Sequence, residues 1–209
     1  DGDLPSAQAG QAVALQLDVS DIQSLASFAE TLRATLQDVW GRDHLDHLVH
    51  NAGHGEMAAF AETTEAQFDG LFTVHVKGVF FLTQALLPLI ADGGRIVTYS
   101  SGLTRVSYPG FSAYSAAKGA IEVLTVYLAR ELGARGITAN CVAPGAIATD
   151  FLGGAVRDTP EYNEAFANMI ALGRVGLPDD IGPMIASLLG EDNRWVTAQR
   201  IEVSGGQVI

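Results

Sequence analysis

Tyr114 and Lys118, in Tyr114-Ser115-Ala116-Ala117-Lys118, are the residues of this chain best suited to chemistry. On a helix, side chains at i and i+4 share one face, so a lysine ammonium there stands beside the phenol and favours its phenolate. An ordinary tyrosine titrates near pH 10, and each unit of downward shift is about 1.4 kcal/mol of preferential stabilisation of the phenolate. Such a pair is a usable proton donor and acceptor. The spacing also fits an ordinary alanine-rich helix, so the surroundings must decide. Upstream, Gly94-Arg95-Ile96-Val97-Thr98-Tyr99-Ser100-Ser101-Gly102 reads as a short buried strand opening into a Ser/Gly loop. Ser101 thus sits at a strand end, where open α/β sheets place their ligand contacts.

The frame that positions these groups reads as alternating strands and helices, the pattern of a parallel sheet covered on both faces. Strands are predicted at 13–17, 45–49, 95–99, 137–143 and 200–203. Ser20 with Gln23 resembles a capping box opening an amphipathic helix that reaches Trp40. Thr64 caps a long helix running to Ile90 and stopped by Gly93-Gly94. Helices follow at 161–172 and, after Pro178, at 179–189. The helix carrying the reactive pair spans 112–132, with Ile121, Leu124, Leu128 and Leu132 on its core face. A second apolar stripe, Ala113, Ala116, Ala120, Val123 and Tyr127, predicts burial on two faces, within one subunit or against another.

Taken in order, Asp18-Val19, Asn51-Ala52-Gly53, Ser101, Tyr114 with Lys118, Pro144-Gly145 with Thr149, and Ser204-Gly205-Gly206 resemble the short-chain dehydrogenase/reductase family. The resemblance runs from about residue 13 to the C-terminus. It implies a doubly wound Rossmann-type α/β fold and hydride transfer between NAD or NADP and a carbonyl or secondary alcohol. Tyr114 would be the acid/base, Ser101 would orient the substrate oxygen, and Lys118 would lower the tyrosine pKa and hold the nicotinamide ribose. Asp18 and Val19 would meet the adenine, Asn51, Ala52 and Gly53 would run along the cofactor, and Pro144, Gly145, Ile147 and Thr149 would surround the nicotinamide. Residues 150–172 correspond to the variable substrate lid. Family members commonly pack the 112–132 helix and the one before it across an interface, implying a homodimer or homotetramer.

Two departures stand out. His75 occupies a position where the family usually has Asn, whose main-chain carbonyl holds a water linked to the lysine; His75 keeps the carbonyl and changes the side chain. The glycine-rich pyrophosphate turn is absent, and the family's first two strands would lie between those at 13–17 and 45–49. The reading therefore expects a strand-helix-strand segment of roughly forty residues before this chain. The choice between NAD and NADP would rest there, with Asp1 and Asp3 only weak hints.

With 209 residues and 48% hydrophobic content, the chain suits one domain with a single core. A net charge of −12 argues against nucleic acid or an anionic membrane surface as partner. No uncharged apolar run approaches the roughly 18 residues of a membrane span. Cys141, the only cysteine, lies in an apolar run and reads as an inert buried thiol, and a cytoplasmic location is expected. His44, His47, His50 and His54 cluster without the companion ligands of a metal site, so no metal is expected. The rival from another class is a non-catalytic binding or regulatory protein on the same fold.

Overall fold

In the computed structural model, which describes residues 12–209, β1 (Leu45–His50), β2 (Ile90–Tyr99), β3 (Thr138–Pro144) and β4 (Arg200–Val203) form one sheet in the order β1-β2-β3-β4. All three ladders are parallel. Alternation sends adjacent strand residues to opposite faces. Ile96 and Ala139 meet Ala129 and Leu132 on one side, while Val97 and Val142 meet Ile181, Ile185 and Leu188 on the other. The sheet is therefore covered on both faces, as a doubly wound fold requires. Each such valine, leucine or isoleucine taken fully out of water contributes about 1.5–3 kcal/mol.

Residues 13–17 form no strand. Among the described residues they have no strand to pair with, and an extended segment without a ladder leaves its backbone groups to water. Leu17 and Val19 pack instead beside Leu25, Ala29 and Leu82. The capping box at Ser20 is also not formed: its N–H and hydroxyl both donate to Asp18 Oδ1, at 2.8 and 2.7 Å. That turn delays α1 to Leu25–Trp40, which ends on Gly41 in the left-handed region, φ 62°.

The Thr64 cap is present, reciprocated by Gln67. The long helix it opens is interrupted: α2 (Glu65–Phe72) passes through a π turn, Thr73–Gly78, into α3 (Val79–Leu86). A 3-10 turn at Leu87–Leu89 then leads straight into β2 at Ile90, the residue to which the helix is predicted to run, so that Gly93 and Gly94 lie within the strand and do not themselves end the helix. Arg135 holds this junction, because its guanidinium donates to the carbonyls of Leu87 and Ile90 and pairs with Asp92. By length and composition, Glu65–Leu89 is apolar enough to cross a membrane, with mean hydropathy 1.4, which the search for uncharged runs misses. Here Leu71, Val79, Leu82 and Leu86 from that stretch are buried in the core.

The reactive pair lies on α4 (Ser112–Leu132), whose buried face includes Tyr114, Lys118, Ile121, Thr125 and Leu132. Its second apolar stripe is exposed, Val123 at 59% and Tyr127 at 61%. After β3 come α5 (Phe151–Asp158), α6 (Pro160–Ala167) and α7 (Pro178–Leu189). The predicted helix at 161–172 is cut short because the chain turns to bridge Ile170 with Gln207.

Candidate active site

Parallel strands finish on one edge, so the loops leaving β1, β2 and β3 converge there. Together with the start of α4, the π turn and the start of α7, they enclose a cleft of about 460 Å³. Asn51 and Gly53 come from the β1 loop, Ser101 from the β2 loop, and Pro144, Gly145, Ile147 and Thr149 from the β3 loop. Tyr114, Lys118 and His75 complete the lining. The structure thus gathers ten of the predicted site residues into one cleft. Asp18, Val19 and Ala52 do not line it. Asp18 is turned to Ser20, and the Val19 carbonyl lies 2.5 Å from where a Cβ on Gly78 would stand, behind the π turn. Sequence reasoning missed Tyr99, Ser100, Pro178, Ile181 and Gly182; the first two directly precede Ser101, whereas nothing in the pattern of α7 marks its first turn as part of the cleft.

Tyr114 is 6% exposed and boxed by rings: His75 edge-on at 5.4 Å between centroids, Phe151 at 5.7 Å and Phe111 at 6.4 Å. Burial pushes its phenol up to about 12, and the neighbouring Ser101 hydroxyl only partly opposes that. This corrects the expectation of a lowered value. The ammonium of Lys118 stands 5.6 Å from the Tyr114 ring centroid, yet desolvation of the phenolate dominates. Lys118 is itself pulled down to about 8 by burial. It donates one hydrogen bond, at 2.9 Å, to the carbonyl of Tyr99.

Two of the clustered histidines are held by neighbouring side chains. His44 pairs with Asp43, and His50 bonds Thr83 at 2.8 Å. His75 Nε2 donates to the carbonyl of His54 at 2.7 Å, fixing the tautomer, while its ring stacks on that of His54. Nδ1 of His75 is buried without a partner among the described residues. Burial, reinforced by the charge of Lys118, holds this ring near 4, so it is neutral at physiological pH.

The rim is formed by α5. Phe151 reaches over Tyr114 and packs against Gly55, where any Cβ would overlap the phenyl ring. Behind it Leu152, Gly153 and Gly154 are all left-handed, φ 52°, 68° and 81°. Arg157 bonds both Asp150 and Asp158, closing the segment on itself.

A family model described as enoyl-(acyl carrier protein) reductase matches residues 4–207. A short-chain type dehydrogenase/reductase of Picea abies is 34% identical over 202 residues, covering 95% of this chain and 72% of the relative. The chain belongs to the short-chain dehydrogenase/reductase family. An NADPH-dependent aldehyde reductase-like protein of Arabidopsis thaliana is 37% identical, with 95% of this chain and 72% of the relative covered. Among solved structures, the angucycline C-6 ketoreductase LanV with bound NADP superposes with a TM-score of 0.88 at 37% identity, covering 95% of this chain and 76% of that one.

This short-chain dehydrogenase/reductase is an NAD(P)-dependent oxidoreductase, and its cleft suits a nicotinamide nucleotide. Lys118 has three N–H groups and directs one to Tyr99, leaving donors for a ribose diol. Gly145 sits so close beneath Gln207 that a Cβ would lie 2.6 Å from Oε1, which keeps the floor of the β3 loop as bare backbone.

Proposed function

We propose that the protein is a carbonyl reductase that uses NADPH to reduce an aldehyde or ketone with apolar surface. The observation carrying this reading is the convergence of Ser101, Tyr114 and Lys118 at the floor of one cleft rimmed by Phe151. Reduction needs a proton donor in place when the carbonyl oxygen gains charge. Ser101 and Tyr114 donate hydrogen bonds to that oxygen, and Tyr114 Oη then releases its proton to the alkoxide. The reduced nicotinamide, when bound, supplies the hydride to the carbonyl carbon. Lys118 stabilises the resulting phenolate until a solvent proton restores the phenol. Asn51, Gly53, Gly145, Ile147 and Thr149 would hold the nicotinamide side of the cofactor, while Phe151 and Phe111 keep water from the reacting oxygen. The preference for NADPH is supported by the NADPH-dependent Arabidopsis relative and the NADP bound in LanV, and the apolar substrate by Phe151, Ile147 and Ile181 in the lining. The non-catalytic alternative has no support in the comparisons.

The test is a panel of aldehydes and ketones followed by loss of NADPH absorbance, with Tyr114→Phe alongside. Wild type should turn over and bind NADPH more tightly than NADH by nicotinamide fluorescence, and the variant should lose about 10²–10⁴-fold in rate while still binding the cofactor. Wild-type rates in Tyr114→Phe would overturn the reading. We also propose assembly as a homodimer or homotetramer, supported by the exposure of Phe80 and Phe81 on α3 and of Val123, Val126 and Tyr127 on α4.

A further inference from the structure

One group of side chains next to the cleft is untouched by the reaction as derived above. Tyr114, Lys118 and Glu122 follow one another at i, i+4 and i+8 on α4, and Glu122 continues the catalytic stripe one turn deeper. Its Oε1 accepts from three donors: the hydroxyl of Ser100 at 2.5 Å, the hydroxyl of Thr104 at 2.6 Å and Nε of Arg200 at 2.7 Å. Burial disfavours the carboxylate, and these three bonds more than offset it, so Glu122 is held ionised.

Arg200, on β4, is the hinge pin of the group. Besides Glu122 it reaches the backbone carbonyl of Ser101 at 3.2 Å, the Thr104 hydroxyl at 3.1 Å and Glu202 at 3.1 Å. Glu202 in turn takes a two-pronged bond from Arg105, at 2.9 and 2.7 Å, and Arg105 extends to the carbonyls of Gln207 and Val208. Charges thus alternate along Glu122, Arg200, Glu202 and Arg105, tying the Ser101 loop to α4 and β4.

Regular ladder support ends before Ser101. Ser100 N–H still donates to Val142 O at 2.7 Å, but the Ser101 carbonyl is oriented by the Arg200 guanidinium, since the single Thr104 proton goes to the nearer Glu122. Ser101 Oγ accepts from Leu103 N–H at 3.2 Å, leaving its own proton for the substrate. We infer that Arg200, locked by Glu122, is a positioning residue that sets the Ser101 hydroxyl against the substrate oxygen. A guanidinium is needed because its planar fork serves several acceptors in fixed directions, which a lysine does not. Misplacing a hydrogen-bond donor by a fraction of an ångström at the reacting oxygen costs one to two orders of magnitude in rate.

The inference rests on the carbonyl-reductase reading and is tested by a double-mutant cycle in the full-length enzyme, with NADPH and the best carbonyl substrate of the panel. Arg200→Met should lower kcat on the order of ten- to hundredfold, with NADPH affinity within about twofold of wild type. In a Ser101→Ala background the same change should cost less than about twofold, because the hydroxyl it positions is gone. Equal losses in both backgrounds, or no loss in the first, would overturn it. Should Arg200→Met not fold, Glu122→Gln, which keeps acceptors for Ser100 and Thr104 and removes the charge that locks Arg200, must show the same dependence on Ser101. A wild type without turnover defeats the proposed function; additive losses in an active wild type defeat this inference alone.

Discussion

Replacing Gly53 with alanine probes how tightly the cleft is built around His75. The added Cβ would stand 2.7 Å from His75 Cε1 and 3.2 Å from Nδ1. Ordinary contact begins at 3.4 Å, so the ring must retreat by 3.4 − 2.7, about 0.7 Å. It has little room to do so, being 2% exposed, stacked on His54 and set edge-on against Tyr114. A retreat of that size along the bond would stretch the 2.7 Å contact from Nε2 to the His54 carbonyl to about 3.4 Å, at the weak edge of hydrogen bonding. Overpacking and the loss of a buried hydrogen bond each cost about 1–3 kcal/mol, and because they are alternative ways of relieving one clash the net should also fall near 1–3 kcal/mol. For a domain of this size that is a fall of about 2–12 °C in Tm. The assay is thermal and urea unfolding of four proteins: wild type, Gly53→Ala, His75→Ala and the double variant. Removing the ring should abolish most of the penalty, giving a coupling energy of at least about 1 kcal/mol between the positions. Wild-type stability in Gly53→Ala, or an equal penalty with and without the ring, would refute the reasoning.

Two further outcomes follow from features already described. Burial lowers Lys118 to about 8, so the amine is charged below that pH and neutral above it; NADPH affinity should weaken as pH rises through about 8, and Lys118→Met should flatten the dependence in a fluorescence titration. Tyr127→Glu places a charge on the exposed apolar face of α4 and should shift sedimentation toward a single chain without abolishing NADPH binding; an unchanged sedimentation profile would refute assembly through that face.

The chemistry of the site was more legible in the sequence than its surroundings. Tyr114 and Lys118 could be placed because an i, i+4 relation fixes two side chains on one face whatever else the fold does. Ser101 could be placed because a buried strand must end somewhere specific. By contrast, residues 13–17 carry a plausible strand pattern, yet pairing is a property of two segments, and among the described residues the second is not there. The π turn around His75 leaves no mark in hydrophobic periodicity, since one extra residue per turn hardly disturbs an apolar stretch. The phenol of Tyr114 shows the same limit in electrostatics. Its charged neighbour could be read from spacing, whereas the desolvation that outweighs it depends on His75, Phe111 and Phe151 closing around the ring from three separate elements. Arg200 is the least legible residue of all, since its contacts with α4 and the Ser101 loop span the chain and obey no local rule.

The bond pattern of Arg157 has a further consequence. By joining Asp150 to Asp158, it makes the stretch carrying Phe151 a loop whose two ends are fastened to each other, so changes inside it are absorbed locally. The parts that perform proton transfer lie on α4 and the strand ends, outside that closure. The rim is therefore only partly an exchangeable cassette: new residues at Leu152 can alter which carbonyl compounds fit, whereas a change at Phe151 also uncovers the Tyr114 ring.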